Sequence, residues 1–263
     1  SKDGGIKKMG LIKKMAGLMG VSPMGMLYFT PSLAETPLIE VKAENTLQEM
    51  LNYLKDQSSL KFQADVAQDL VFSNGQKIQV GAIVNLKVRR PDKLNIDYQG
   101  DRNHVRFYFD GKTFTMEGLT NNVYANFLEP SEVDNINALV RRIGERLNIT
   151  LPLGEIIATD NDLESIKNRI TSGVYVGESR VNGVISHHLA FTQDNLDWQI
   201  WIEKGEKPLP RKLVITYKQD PSSPQYSAIL SNWNFDPISE EDPIFSFQPA
   251  DDADKIDFLI IQP

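Results

Sequence analysis

Apolar and polar residues alternate most clearly between Asp197 and Tyr217. Trp198, Ile200 and Ile202 interleave with Gln199, Trp201 and Glu203; beyond the KGEKPLPR connection, Leu213, Ile215 and Tyr217 interleave with Lys212, Val214 and Thr216. A period of two puts each set on one side of a strand, so the stretch predicts a hairpin with one apolar face. Trp201 and Val214 make the other face mixed, and something is expected to cover part of it. Gly205 allows the bend, while Pro208 and Pro210 hold the connection extended and donate nothing to a ladder.

The same alternation recurs along the chain. Lys61 to Phe72 and Lys77 to Arg90 predict two long strands joined by a type I′ turn at Asn74-Gly75. Leu94 to Tyr98, Val105 to Phe109, Phe114 to Met116 and Val123 to Phe127 predict further strands, with a turn at Asp110-Gly111. Gly173 to Arg180 and Val184 to Phe191 flank Asn182-Gly183, and Gln225 to Phe235 and Ile244 to Phe247 follow the hairpin. Helical spacing appears in few places. Thr46-Leu47-Gln48-Glu49 reads as a capping box opening a helix with Leu47, Met50, Leu51 and Leu54 on one side. Ser131 to Leu147 predicts a second helix, with Glu132 and Asp134 in its first turn and Arg141, Arg142 and Arg146 near its end. Leu151 to Thr159 and Asp160 to Ile170 predict two short ones. The expected architecture is α+β and mainly antiparallel: roughly eleven strands in one domain over residues 45–258, after a linker at 35–44 and before a tail at 259–263.

Each strand shows one apolar face, and that face must be covered. Burying one large apolar side chain is worth roughly 1.5–3 kcal/mol, so ten left wet would cancel a typical net stability of about 5–15 kcal/mol. The helical segments available are short for so many strands, which leaves two outcomes: a packed core, or a concavity able to accept an acyl chain. Arg90 sits in phase with Ile78, Val80, Ala82, Val84, Leu86 and Val88, so its guanidinium points to the apolar side just before Pro91. There it either snorkels out at the rim or needs acceptors, whether helix or loop carbonyls or a ligand headgroup.

The N-terminus alters the picture. A basic run (Lys7, Lys8, Lys13, Lys14), an apolar stretch from Met15 to Leu33 broken by Gly17, Gly20, Pro23, Gly25 and Pro31, and Ser32-Leu33-Ala34 match an export signal over residues 1–34. A retained anchor is the alternative. Without the five lysines and one aspartate of that segment, 23 basic residues face 34 acidic ones, a net charge of −11. With no basic stripe interleaved with aromatics, this argues against nucleic acid as a partner. The chain has no cysteine, which excludes disulfides, thiolate metal sites, a cysteine nucleophile and a lipid-bearing cysteine.

Little in the sequence nominates catalysis. His187 and His188 are strand neighbours pointing to opposite faces and so cannot readily chelate one ion; His187, in phase with Leu189 and Phe191, reads as a hydrogen-bonded core residue. His104 is the third histidine. There is no nucleophile elbow, phosphate loop or HExxH. Asp251, Asp252 and Asp254 lack calcium-loop spacing. No catalytic residue, metal or cofactor is expected.

The order of an amphipathic first helix, Val88-Arg89-Arg90-Pro91, Leu94 to Tyr98, Phe109-Asp110-Gly111-Lys112-Thr113 and Phe245-Ser246-Phe247-Gln248-Pro249 resembles the outer-membrane lipoprotein carriers of the LolA type. DGKTFTMEG and DWQIWIEKGEKPLPRKLVITY look closer still to a family of predicted periplasmic proteins of unassigned function sharing that superfamily. The resemblance spans about residues 45–249; the 131–170 insertion and the KPLPR loop depart from the carriers. It implies an unclosed half β-barrel whose concave face is plugged by helices, with a hydrophobic cavity for acyl chains. By order, Arg90 would bond the lid and Leu54 would line the cavity. The reading expected from this is a periplasmic, non-catalytic carrier for a lipid or lipoprotein acyl chain, monomeric, working with an inner- or outer-membrane partner. Its cavity candidates are Leu54, Phe62, Val84, Leu86, Trp198, Ile200 and Leu213, with Arg90 at the mouth. The alternatives are an envelope interaction or sensor module and, third, a hydrolase.

Overall fold

The computed structural model describes residues 38–127, 133–147 and 153–257. The signal segment and the tail from 259 onward lie outside them. One unclosed 13-stranded sheet forms the molecule, in the spatial order β1-β8-β9-β10-β11-β12-β2-β3-β4-β5-β6-β7-β13. The eleven long strands are β2 (Ser59–Val71), β3 (Lys77–Arg89), β4 (Lys93–Gly100), β5 (His104–Phe109), β6 (Phe114–Gly118), β7 (Val123–Phe127), β8 (Ser172–Val181), β9 (Val184–Thr192), β10 (Leu196–Glu203), β11 (Pro210–Tyr217) and β12 (Gln225–Asn234). They pair antiparallel throughout. The two-residue strands β1 (Leu38–Ile39) and β13 (Asp254–Lys255) add parallel pairs at the two edges. The expected half-barrel is therefore present, with two short strands beyond the predicted eleven.

Registers agree with the alternation. Trp198 lies opposite Ile215 and Ile200 opposite Leu213, so the predicted hairpin has its apolar residues on one face. On the mixed face, His188 stacks on Trp201 with ring centroids 4.0 Å apart, and the Lys212 ammonium lies 4.8 Å from the same ring. Asn182 and Gly183 both have positive φ, +47° and +82°, as a type I′ turn requires. The Asn74-Gly75 turn differs from its expected type. Only Gly75 is left-handed there (φ +85°). Phe72 donates to Gln76 O and accepts from Gly75 N, both at 2.9 Å, closing a three-residue loop.

The helices begin elsewhere than predicted. Helix α1 spans Val41–Lys55, so Thr46 is no cap: its hydroxyl donates to Lys42 O at 2.7 Å, one turn back. The earlier start follows from β1, which docks on β8 and delivers the chain to Val41 already fixed. Helix α2 runs Ile136–Leu147, with the Asn135 side chain accepting from Ala138 N at 2.8 Å. Asp134 therefore precedes the first turn instead of occupying it. Helices α3 (Gly154–Ile157) and α4 (Leu163–Lys167) are short, and Asp162 caps α4 by accepting from Ser165 N. The predicted strand at Ile244–Phe247 is a 3-10 turn over Pro243–Phe245, because Pro243 lacks a donor and Asp242 captures the Ile244 N–H at 3.0 Å.

Apolar residues of α1 (Leu47, Met50, Leu54), α2 (Ile136, Leu139, Ile143) and α3 (Ile156, Ile157) join the inner faces of the strands in one buried cluster. After β12 the chain crosses the outer face. Ile238 accepts from Arg89, Ile244 O accepts from Asn95 at 2.8 Å, and Phe247 packs between Tyr108 and Tyr124 before the segment ends as β13 beside β7. Gly173 is where β1, β8 and β9 meet. A Cβ there would come within 2.7 Å of the Phe191 ring and 3.1 Å of Ile39. Gly173→Ala is expected to lower the unfolding free energy by about 1–3 kcal/mol, the usual cost of overpacking. Urea titration checks this, and an unchanged midpoint would mean that the β1 contact yields freely.

Candidate functional site

Strand β3 ends at Arg89, and the next residue turns its side chain inward beneath the helices. The Arg90 guanidinium donates to Gln57 O at 3.1 Å through Nε, to Leu54 O at 3.4 Å through Nη2, and to Ile157 O through Nη1. Those carbonyls belong to the end of α1, the turn after it and the end of α3. Carbonyls at helix C-termini are unsatisfied and partly negative, so a cation there meets both needs. Burial pulls the guanidinium pKa down to about 10, which leaves it charged at neutral pH. The backbone N–H of Arg90 also donates to Ser58 O at 2.8 Å. One residue thus joins the sheet to two separate helical segments. Of the outcomes open in the sequence, helix and loop carbonyls are the acceptors.

The named cavity residues fall on the inner face, and all but Trp198 are sealed. Val84 is wholly inaccessible; Leu54, Phe62, Leu86, Ile200 and Leu213 are each at most 5% exposed. Phe62 is stacked on Trp233 with centroids 4.3 Å apart. Around Arg90, then, the hollow is filled by the protein's own side chains.

The opposite end differs. Toward the turns at 72–76 and 218–224, inner-face residues remain half-exposed: Leu70, Ile78, Val80, Trp198, Ile215, Tyr217 and Tyr226. Two positions further along their strands, Gln68, Ala82, Ile200, Leu213 and Ala228 are buried. Glu155 of α3 belongs to this end. Its side chain is solvent-exposed. Burial, reinforced by the Glu155 charge, lifts Tyr217 to about 12 and Tyr226 well above the ordinary phenol value. Sequence reasoning counted Tyr217 with the apolar face of the hairpin and passed over Glu155 and Tyr226, because it scored the inner face for apolar residues alone. The only signal was Tyr217 and Tyr226 standing in phase with Leu213 and Ala228.

The histidines occupy three settings. His188 faces outward on Trp201, with Nε2 2.9 Å from Gln199 Oε1. On the outer face Asp97 lies 2.6 Å from His104 Nε2 and 2.9 Å from Arg106 Nε. Desolvation pushes the Asp97 carboxyl up, but hydrogen bonds from Gln99, His104 and Arg106 outweigh it and hold the pKa below the usual carboxylate value. His187 is half-buried, its Nδ1 2.8 Å from the Tyr175 hydroxyl. A depression of about 200 Å³ lies on the outer face around Tyr108, Thr115, Tyr124, Asn126 and Phe247. Among the described residues no group of His, Asp and Glu converges as metal ligands would, and no helix is long and apolar enough to cross a membrane.

Residues 43–259 match the family described as "Predicted periplasmic protein (DUF2092)". The chain belongs to this family. No curated protein matches it in sequence. Among solved structures it is similar to the Mycobacterium tuberculosis lipoprotein LppX at 12% identity, covering 76% of this chain and 98% of that one with a TM-score of 0.44. LprF from Mycobacterium bovis is 15% identical, with coverage of 80% and 99% and a TM-score of 0.43. A putative outer membrane lipoprotein-sorting protein domain from Vibrio parahaemolyticus is 10% identical, with coverage of 77% and 96% and a TM-score of 0.31.

Desolvation holds the His187 pKa below its ordinary 6.5, with the pull of Glu178 only partly offsetting it. The unfolded chain then takes up this proton more readily than the folded one, so the contribution of His187 is fully present above pH of about 6.5 and is lost as pH falls below it. His187→Gln is therefore expected to lose less stability than the unsubstituted protein between pH 7 and pH 5. Urea midpoints at the two pH values measure this, and parallel losses would remove His187 from the acid response.

Proposed function

We propose that this protein is an exported, non-catalytic carrier in the periplasm that binds a lipid or a lipoprotein acyl chain on the concave face of its sheet. The single observation behind this reading is the asymmetry of the hollow. One end is closed by helices held through Arg90, while the other keeps apolar side chains half-exposed. An ordinary core has no need to leave Trp198, Ile215 and Tyr226 partly open when their strand neighbours are sealed. The family's description supports the periplasm, as does the basic and apolar pattern of residues 1–34.

The residues would act in three roles. Trp198, partly exposed at the open end, would meet the ligand first. Phe62, Val84, Leu86, Ile200 and Leu213 form the wall that a longer chain would reach once α1 and α3 separate from the sheet, with Leu54 the α1 residue displaced. Arg90 is the latch: its bonds to Leu54, Gln57 and Ile157 favour the closed arrangement, and binding costs whatever it takes to break them. Delivery to an inner- or outer-membrane partner would work through the same equilibrium.

Mass spectrometry under native conditions, on protein purified without detergent, is expected to detect a co-purified acyl species or uptake of an added fluorescent fatty acid. Protein that arrives empty and takes up no acyl probe would defeat the reading. Arg90→Leu leaves three carbonyls without their donor, which costs on the order of 1–3 kcal/mol of stability. It should also speed probe entry severalfold in stopped-flow fluorescence. Uptake at the original rate, in a variant still folded, would take Arg90 out of the mechanism.

A further inference from the structure

One buried polar side chain interrupts the apolar inner face of β2. Gln68 stands in phase with Phe62, Ala64 and Val66, and only 8% of the residue is exposed. Among the described residues its carboxamide has no hydrogen-bond partner, yet neither amide atom is sealed from solvent. The apolar stem is thus enclosed, and the small exposed part includes the polar head on the hollow side of the sheet.

Strand register fixes what lies beside it. In one row across five strands, Trp198 lies opposite Ile215, Ile215 opposite Tyr226, Tyr226 opposite Gln68 and Gln68 opposite Val80. Directly opposed residues have Cβ atoms about 5 Å apart, so Gln68 and Tyr226 reach the same space. The other four members of the row are half-exposed and belong to the open end. Along β2, Gln68 marks the border: Val66 is 3% exposed on one side of it and Leu70 half-exposed on the other. The Tyr226 hydroxyl also has no partner among the described residues, and burial holds its pKa well above the ordinary phenol value, so it stays a donor. Both groups stand on paired strands. Helices moving off the sheet would leave their spacing intact.

A leucine at position 68 would complete the apolar wall, whereas an enclosed amide without a partner is unfavourable until something bonds it. An amide both donates and accepts, and a protonated phenol donates. A hydroxyl or ester group answers both. The row has no charged side chain, so a carboxylate or ammonium group placed there would lose its hydration without gaining a counter-ion.

We propose that Gln68 and Tyr226 bind the uncharged hydroxyl or ester head of a neutral lipid whose tail lies along the apolar inner wall. This rests on the carrier reading, because the hollow must admit the tail. Among lipids of equal chain length, the pair selects those whose heads form hydrogen bonds and carry no charge.

The test compares decanol, decanoate and decyltrimethylammonium by isothermal titration calorimetry, each below its solubility or micellar limit. Uptake of the uncharged fluorescent probe N-phenylnaphthylamine reports the hollow independently of any head. Decanol is expected to bind at least about tenfold tighter than either charged compound, equivalent to about 1.4 kcal/mol. Gln68→Met, close in size but without the amide, should take up the fluorescent probe as before and bind decanol severalfold more weakly. Tyr226→Phe should act in the same direction, with circular dichroism confirming each fold. The comparison on the unsubstituted protein stands even if a variant misfolds. Probe uptake with equal affinity for the three compounds, or with a charged one bound tightest, would overturn the headgroup assignment and leave the carrier reading intact. Unchanged decanol affinity in Gln68→Met would overturn it too, leaving the amide to water alone. Failure of every probe to bind would bring both readings down.

Discussion

The structure depends on covering one long apolar surface with very little helix. A sheet of 13 strands presents its inner side as a continuous run of Leu, Ile, Val and Phe, and the unfavourable hydration of that run drives everything laid against it. One helix of 15 residues, α1, and the shorter α2, α3 and α4 are what the described chain offers. Curvature does part of the work, since a twisted sheet folded toward itself lets opposing strands share the same helices. The helices must also stay where they are put, and short helices have little of their own stability to contribute. This is why a charged group sits among apolar ones: Arg90 binds carbonyls that α1 and α3 cannot satisfy themselves, and it ties both to the end of β3.

Such a fastening is polar and local, unlike the diffuse packing around it. Hydrophobic contact resists separation but tolerates sliding, whereas three directed bonds to one guanidinium are either made or broken. Among the described residues the far end of the hollow has no comparable tie, and there the inner side chains stay partly wet.

The strands were legible because period-two alternation is a direct image of a sheet with one buried face. Trp198, Ile200, Leu213 and Ile215 fell in their registers for that reason. The helix starts were misread where a side chain had a second way to bond: Thr46 suits an N-cap by type, yet it bonds back to Lys42 because β1 has already set the helix going. The 3-10 turn at Pro243 replaced a strand because the chain there lies on the outer face of the sheet instead of joining it. Arg90 was legible as an inward cation from its phase, and its partners were not, because Ile157 lies 67 residues away in sequence. The half-exposed end was the least legible part. Whether an inner position is sealed or wet depends on where short helices come to rest, which alternation along one strand does not encode.

The two strand pairs at the margins carry a consequence of their own. An open sheet has two rows of unpaired backbone groups, each able to recruit a neighbouring molecule. Here the segment before α1 lies along β8 and the segment after the outer-face crossing lies along β7, each for only two residues and both parallel. Beyond its short partner, β8 is interrupted by an irregularity in pairing between Tyr175 and Gly177, where the glycine has φ +144°. The chain therefore blunts both borders with short parallel pairs of its own, a defence against stacking edge to edge into fibres.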